Sequence, residues 1–279
     1  MPKPAYNSGP ALRSFLQERG LSIRKQWGQN FLINPHARKT LAGALNADGA
    51  VWEIGSGLGS MTTELLERKL KVTAFEVDPG LCSVLEELFA ADNNFTLVRG
   101  DVLQTWKTTE NAPYLLGNLP YNIAAMLMGN LIEQRCFFKR MIITVQKEVA
   151  VRMTALPGSK DYSSISVLCA SAYKMKIIMN LKRQSFYPVP HVDSAAICFE
   201  RLPGLDQPPP LFYSLVRSLF SSRRKTIANN LENFFPRSCT LKALEACGLG
   251  GRERAETLSP EVFISLAGKL EKHRNGNDH

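Results

Sequence analysis

The sequence contains no apolar run approaching the ~20 residues that a membrane span requires, so no transmembrane segment is expected. Its first twenty residues carry Lys3, Arg13 and Arg19 but no apolar core followed by a small-residue cleavage site, which argues against a secretory signal. Histidine is scarce, with four in all. None of the six cysteines (Cys82, Cys136, Cys169, Cys198, Cys239, Cys247) forms a C-x-x-C pair or sits near a histidine at ligand spacing. That excludes the usual zinc patterns and a disulfide-knit secreted scaffold, and predicts reduced thiols in a cytoplasmic protein. His36 and His191 have no catalytic partner nearby in sequence. No internal repeat is evident.

What is present is an ordinary globular composition, 44% hydrophobic and 21% charged over 279 residues. That length suits a large domain with a small one. The net charge is +9, and it is clustered. Between Gln134 and Pro190 ten lysines and arginines face only Glu148 and Asp161, and the first thirty residues hold five against Glu18. Clustered positive charge fits a phosphate backbone better than a uniformly solvated surface.

Short apolar runs alternate with helical patterns. Ala50 to Ile54, Lys71 to Phe75, Phe95 to Val98, Tyr114 to Leu116 and Met141 to Val145 read as strands. Leu58 to Lys69 and Pro79 to Ala90 read as helices, as do Gly9 to Gly20 and Pro35 to Leu45 before the first long strand. Alternation of this kind predicts an α/β fold, a doubly wound, mostly parallel sheet with helices on both faces. Ile165 to Leu181 and Ser194 to Glu200 are β-rich and are expected to close the sheet as an antiparallel pair. Four prolines and a glycine between Leu202 and Pro210 mark a linker, and Leu211 to about Leu270 is helical in pattern. The expected domains are therefore 1–203, capped by N-terminal helices over 1–48, and an all-helical 204–279.

Three segments carry chemistry. Glu53-Ile-Gly-Ser-Gly-Leu-Gly59 follows a strand and precedes a helix, where glycines let a ligand approach the main chain. Gly55, Gly57 and Gly59 are spaced G-x-G-x-G, with Ser60 where a dinucleotide fingerprint would place its last glycine. This spacing matches the methyltransferase loop that cradles the methionine part of S-adenosylmethionine. Glu76 ends the next strand, about 20 residues on, where an acid can accept ribose hydroxyl protons. Asp101, after the third strand, is placed to accept from an adenine amine; taken alone it is an ordinary turn or N-cap aspartate.

The most specific segment is Gly117-Asn-Leu-Pro-Tyr-Asn-Ile123, at the expected carboxyl edge of the sheet. An exocyclic adenine nitrogen is a poor nucleophile because its lone pair is delocalised into the ring. Acceptors on its two protons return density to nitrogen as it pyramidalises. The Asn118 side-chain oxygen and the Leu119 carbonyl are the candidate acceptors. Pro120 fixes the turn through its locked φ, and Tyr121 offers a face on which a flipped base can stack. The pattern specifies the atom better than the polymer, since DNA adenine methyltransferases use similar turns.

With these residues in hand, the chain resembles the ribosomal RNA adenine N6-dimethyltransferase family over nearly its whole length. Arg24-Lys-Gln-Trp-Gly-Gln-Asn-Phe-Leu32 is similar to the family's N-terminal box. The resemblance implies that Asn30 and Leu32 contact the cofactor and that Gln29 shapes the cleft. It places Gly55, Glu76, Asp101 and Asn118 on the family's remaining cofactor positions. Gln184 to Ser194 resembles the F-x-P-x-P-x-V-x-S box, which implies that Phe186 packs on the target base opposite Tyr121; the lesser alternative for Phe186 is a plain core residue. Phe220 to Leu231 resembles the basic segment of the C-terminal helical domain, with Arg223, Arg224 and Lys225 expected on phosphates. Trp27, Ser56 and Asn34 depart from the family's usual phenylalanine, proline and acid, and remove no group the chemistry needs.

The resemblance implies a Rossmann-like S-adenosylmethionine-dependent methyltransferase acting as a monomer on immature small ribosomal subunits. It would dimethylate two adjacent adenosines in the 3′-terminal hairpin of small-subunit ribosomal RNA. Two alternatives stand beside it: the same chemistry on large-subunit ribosomal RNA, conferring macrolide resistance, and a non-catalytic nucleic-acid-binding factor on the same fold.

Overall fold

The computed structural model describes residues 2–24, 27–119, 123–204, 208–222 and 224–275, with side chains to 272. Two compact units emerge. One comprises Met1–Leu127, Arg135–Ala150 and Met175–Arg201; the other comprises Met128–Gln134, Val151–Lys174 and Leu202–His279. No helix among the described residues is long and apolar enough to cross a membrane.

The chain begins with helix α1 (Gly9–Glu18), the short strand β1 (Phe31–Leu32) and helix α2 (Pro35–Ala44). Ser8 and Asn34 cap the two helices, each accepting from a backbone N–H three residues on, and each helix has a proline in its first turn. Then come β2 (Ala50–Ile54), α3 (Ser60–Glu67), β3 (Lys71–Glu76), α4 (Pro79–Phe89), β4 (Phe95–Arg99), α5 (Val102–Thr105) and β5 (Tyr114–Asn118). After β5 follow α6 (Ala124–Glu133), β6 (Arg140–Gln146), α7 (Lys147–Met153), α8 (Ser164–Ala170), β7 (Tyr173–Leu181), β8 (Phe186–Tyr187) and β9 (Ser194–Arg201). The C-terminal helices are α9 (Leu211–Ser221), α10 (Ile227–Leu231), α11 (Arg237–Glu245) and α12 (Pro260–Asn275).

The main sheet has the order β4-β3-β2-β5-β6-β9-β7. The first five strands run parallel, and β9 returns antiparallel to β6 with Gln146 opposite Ser194. Strand order reverses between β2 and β5, which have β3 and β6 on their outer sides. In open α/β sheets such a switch point leaves a crevice at the carboxyl ends of the strands. The β2 run Val51 to Ile54 is buried on both faces, as a covered central strand must be. One face packs Val51, Leu65, Val72, Leu116 and Ile142 against α2 and α3. On the other, Trp52 meets the rings of Phe75 and Phe138 edge-on at 5.0 and 5.4 Å. A separate ribbon pairs β1 with β8, setting Leu32 opposite Phe186 and Phe31 opposite Tyr187.

The sequence pattern and the structure part company at residues 165–170, which form α8 and not strand. The Ser166 hydroxyl accepts from the Ser163 backbone N–H at 3.0 Å and starts the helix. Ile165, Val167, Leu168 and Cys169 are all buried, so packing overrides the β-branched preference of Ile165 and Val167. The strand proper begins at Tyr173; β7 and β9 are neighbours at the end of the sheet as expected, and β9 joins the parallel strands by running antiparallel to β6.

In the second unit, Tyr162 meets Phe220 edge-on and Phe220 stacks on Phe263, with ring centres 5.9 Å apart at both contacts. The Tyr162 hydroxyl donates to the Leu258 carbonyl at 2.9 Å.

Candidate active site

A cavity of about 250 Å³ opens at the switch point. All seven residues expected at the cofactor line it: Asn30, Leu32, Gly55, Gly57, Glu76, Asp101 and Asn118. They come from the β1 strap, the β2–α3 loop, and the carboxyl ends of β3, β4 and β5.

The loop takes its shape from glycine. Gly55, Gly57 and Gly59 have φ of +77°, +57° and +80°, a region that side chains resist. A Cβ on Gly55 would stand 2.9 Å from the Asn118 carbonyl oxygen, and one on Gly57 would stand 3.0 Å from the Phe31 ring. These approaches let β2 and β5 end side by side and let the strap close over the loop.

Glu76 is the electrostatic centre. Its Oε2 accepts from the Gly57 N–H at 2.8 Å, and its Oε1 from the Val77 and Asp78 N–H groups at 3.0 and 2.9 Å. Burial pushes its pKa up, and the three backbone N–H donors oppose that shift. Three donors fill three of about four acceptor positions on a carboxylate. One ligand hydroxyl can therefore be accepted without displacing a backbone donor. Asp78 caps α4 from Oδ1 and accepts from Gln29 Nε2 at 2.8 Å through Oδ2. Gln29 Oε1 accepts from the Arg24 N–H at 2.7 Å, so one amide fastens the strap to the rim of the cavity.

Asp101 caps α5, its Oδ1 accepting from the Leu103 N–H at 2.9 Å. The N-cap role and a place at the cavity wall are thus held by one carboxylate. Asn118 Nδ2 donates to the Asn30 carbonyl at 2.9 Å. The Leu119 N–H donates to the Thr144 carbonyl at 3.0 Å, and its side chain is buried outside the cavity lining. Pro120 and Tyr121 lie outside the described residues, as does Arg223.

Phe186 is placed differently from the expectation of a base-stacking ring. It is 1% exposed, belongs to the core that contains Leu32, Leu41 and Leu181, and does not line the cavity. Its pairing with Leu32 draws the ring inward, and the neighbouring Tyr187 is half-buried against Gly9.

Two groups of residues escaped the sequence reading. Val77 and Val102, each directly after an acid at the cavity wall, are apolar and gave no polar signal. Glu53, two residues before Gly55, is 2% exposed, and its carboxyl is pushed up to about 8, chiefly by burial. It accepts from the Thr62 hydroxyl at 2.6 Å. Burial thus favours its neutral form.

A nucleoside-sized cavity with a buried strand-end acid and a G-x-G-x-G loop at the switch point of this sheet defines an S-adenosylmethionine-dependent methyltransferase fold. The family described as ribosomal RNA adenine dimethylase matches residues 20–272, and the chain belongs to it. A Treponema pallidum protein named ribosomal RNA small subunit methyltransferase A is 44% identical over 96% of this chain and 98% of its own length. Among solved structures, a dimethyladenosine transferase from Plasmodium falciparum has a TM-score of 0.74 at 28% identity, covering 87% of this chain and 97% of that one. The 23S rRNA methyltransferase ErmE has a TM-score of 0.63 at 26% identity, covering 86% and 99%.

Proposed function

We propose that the chain dimethylates N6 of two adjacent adenosines in the 3′-terminal hairpin of small-subunit ribosomal RNA, acting as a cytoplasmic monomer on the immature subunit. The observation that carries the chemistry is that Asn118 lines the same cavity as Glu76 and Asp101. On this reading Asn118 links the acceptor side to the donor pocket. The choice of polymer rests on the small-subunit name of the 44% identical relative.

S-adenosylmethionine, when bound, supplies an electrophilic methyl group. The donor set fits it. Glu76 accepts a ribose hydroxyl, and the second oxygen of Asp101 accepts from the adenine amine. Val77 and Val102 supply apolar faces for the purine. Gly55 and Gly57 present main chain to the methionine part, beside Asn30 and Leu32. On the acceptor side, the Asn118 oxygen and the Leu119 carbonyl take the two protons of the target amine. Pro120 holds that turn, and Tyr121 stacks the flipped base at a cost of a few kcal/mol for leaving its helix. Phe186 serves the acceptor side by anchoring β8. The protein's contribution is positioning and fixed dipoles, and no strong general base is required. Residues 204–279 serve as the RNA-binding domain, with the basic turn at Arg223, Arg224 and Lys225 on phosphates.

The second reading, a large-subunit substrate, is favoured by the likeness to a 23S rRNA methyltransferase. Labelled S-adenosylmethionine offered with separate unmethylated small and large subunits tests both. Label in the small subunit, mapped by primer extension to adjacent adenosines, is the expected result. Label in the large subunit alone selects the second reading.

A further inference from the structure

We infer that the backbone carbonyl of Asn30 is a positioning group that sets which end of the Asn118 amide faces the target amine. The inference rests on the reaction proposed above and deepens it.

The Asn118 amide has a donor end and an acceptor end of nearly the same shape. Only the acceptor end helps an adenine amine, whose two hydrogens need lone pairs. The donor end would meet N–H with N–H. The choice is made by the strap: Asn118 Nδ2 donates to the Asn30 carbonyl at 2.9 Å across 88 residues of sequence. A carbonyl accepts only a proton, so the amide nitrogen is fixed on that side and the oxygen on the other.

Both ends of this bond are rigid. Asn30 Nδ2 donates to the Gly28 carbonyl at 2.9 Å, closing a turn that Gly28 permits with φ of +60°. The next two residues are paired with Tyr187 and Phe186, and the Ile33 and Asn34 N–H groups both reach the Ser185 carbonyl, at 2.8 and 3.3 Å. On the other side, Asn118 ends β5 opposite Thr144, with its own carbonyl packed against Gly55. The strap that walls the donor cavity is therefore also the part that gives the acceptor residue its polarity. The same polarity disfavours a guanine O6 at this place, since two acceptors would then face each other.

Asn118→Asp is the discriminating variant. It keeps the shape and an acceptor oxygen, but as a carboxylate it has no proton for Asn30. Protonation restores an O–H toward Asn30 and leaves a C=O toward the amine. The acidic neighbours are Glu76 from β3 and Asp101 from the start of α5 at the cavity wall, and Glu53 from β2 behind the loop. Two charged groups are bonded to the strap, Asp78 through Gln29 Nε2 and Arg38 through the Leu32 carbonyl. No lysine, arginine or histidine lines the cavity among the described residues. Like charge on Glu76 and Asp101 acts to raise the pKa of a carboxyl placed there.

The experiment is single-turnover transfer to unmethylated small subunits at saturating S-adenosylmethionine, from pH 5.5 to 8.5, with melting temperatures as a fold control. At pH 8.5 Asn118→Asp is expected to be about a hundredfold slower than wild type, the usual cost of losing one fixed dipole at a reacting centre. Its rate is expected to recover by up to about tenfold per pH unit as the carboxyl takes up its proton, while wild type shows no such rise toward acid. Gly28→Ala, which strains the strap without touching Asn118, is expected to lower the rate constant with KM for the subunit unchanged. Combined with Asn118→Asp at pH 8.5 it is expected to add little. Wild-type rates for Asn118→Asp at pH 8.5, a folded variant with no recovery in acid, or full additivity with Gly28→Ala would each overturn the inference. Failure of wild type itself to methylate adenosine would instead remove the proposed reaction.

Discussion

The carboxylate of Glu76 and the backbone N–H of Gly57 are joined at 2.8 Å, so the strand-end acid and the glycine loop form one unit. Glu76 also holds the Val77 and Asp78 N–H groups. The carboxylate thus organises the rim of the cavity as well as offering an acceptor to a ligand.

Glu76→Ala removes both roles. A charge-assisted hydrogen bond contributes about 1.5–3 kcal/mol, so affinity for S-adenosylmethionine is expected to fall by roughly tenfold to a hundredfold in calorimetry. Unchanged affinity would take Glu76 out of the site.

Glu53→Gln tests the buried acid beneath the loop. In the unfolded chain this carboxyl titrates near its ordinary value of 4.5; burial, reinforced by Glu76 and opposed by the Thr62 hydrogen bond, pushes it up to about 8 in the fold. Between those values the unfolded state has lost a proton that the native state keeps, so stability falls as pH rises through the window. The loss is at most about 1.4 kcal/mol per pH unit. Glutamine carries no such proton. Melting curves of the two proteins should lie closest near pH 5, and the variant should gain on wild type toward pH 8. Parallel curves would mean that Glu53 is ionised in the fold.

Much of this arrangement was legible in the sequence because periodicity and glycine spacing are local. Ala50 to Ile54 reads as a covered strand, and Glu76 and Asn118 fall at strand ends, so their convergence follows from sheet topology alone. What was not legible depends on contacts distant in sequence. Residues 165–170 open a stretch that reads as β-rich, yet form a helix once Ser163 and Ser166 cap it and the core takes its apolar face. Phe186 is expected on the target base from its proline-rich box, but pairing with Leu32 across the β1–β8 ribbon buries it. Glu53 reads as a strand residue like any other, because nothing local announces that it is sealed beneath Thr62.

Two glycine substitutions make the same chemical change with opposite expected signs. Gly55→Ala forces a Cβ to 2.9 Å from the Asn118 backbone oxygen at φ +77°. Neither the strand end nor the oxygen can yield cheaply, so the melting temperature and S-adenosylmethionine affinity should both drop. Gly129→Ala adds a Cβ in the middle of α6, where nothing lies within 4 Å. It should stabilise by about 0.5–1 kcal/mol through helix propensity. Equal effects from the two would show that the loop tolerates the displacement and that its glycines serve no close approach.

The basic turn after α9 is the place to test RNA contact. Asn230 is 2% exposed, and its Nδ2 donates to the Leu219 and Ser222 carbonyls at 3.5 and 3.3 Å. Thr226 caps α10 from the other side, accepting from the Asn229 N–H at 3.4 Å. The turn is thereby held with Arg224 and Lys225 exposed. Each phosphate contact releases condensed counterions, so neutralising both residues to glutamine should reduce the slope of log affinity against log salt by about 0.7–0.9 per lost contact. Asn230→Ala keeps both charges but frees the turn; it should weaken binding while retaining most of the slope. Filter binding to small-subunit RNA at several salt concentrations separates these outcomes. A slope unaltered by the double neutralisation would place the turn off the interface, and the basic stretch between Gln134 and Pro190 would then have to carry the phosphate contacts.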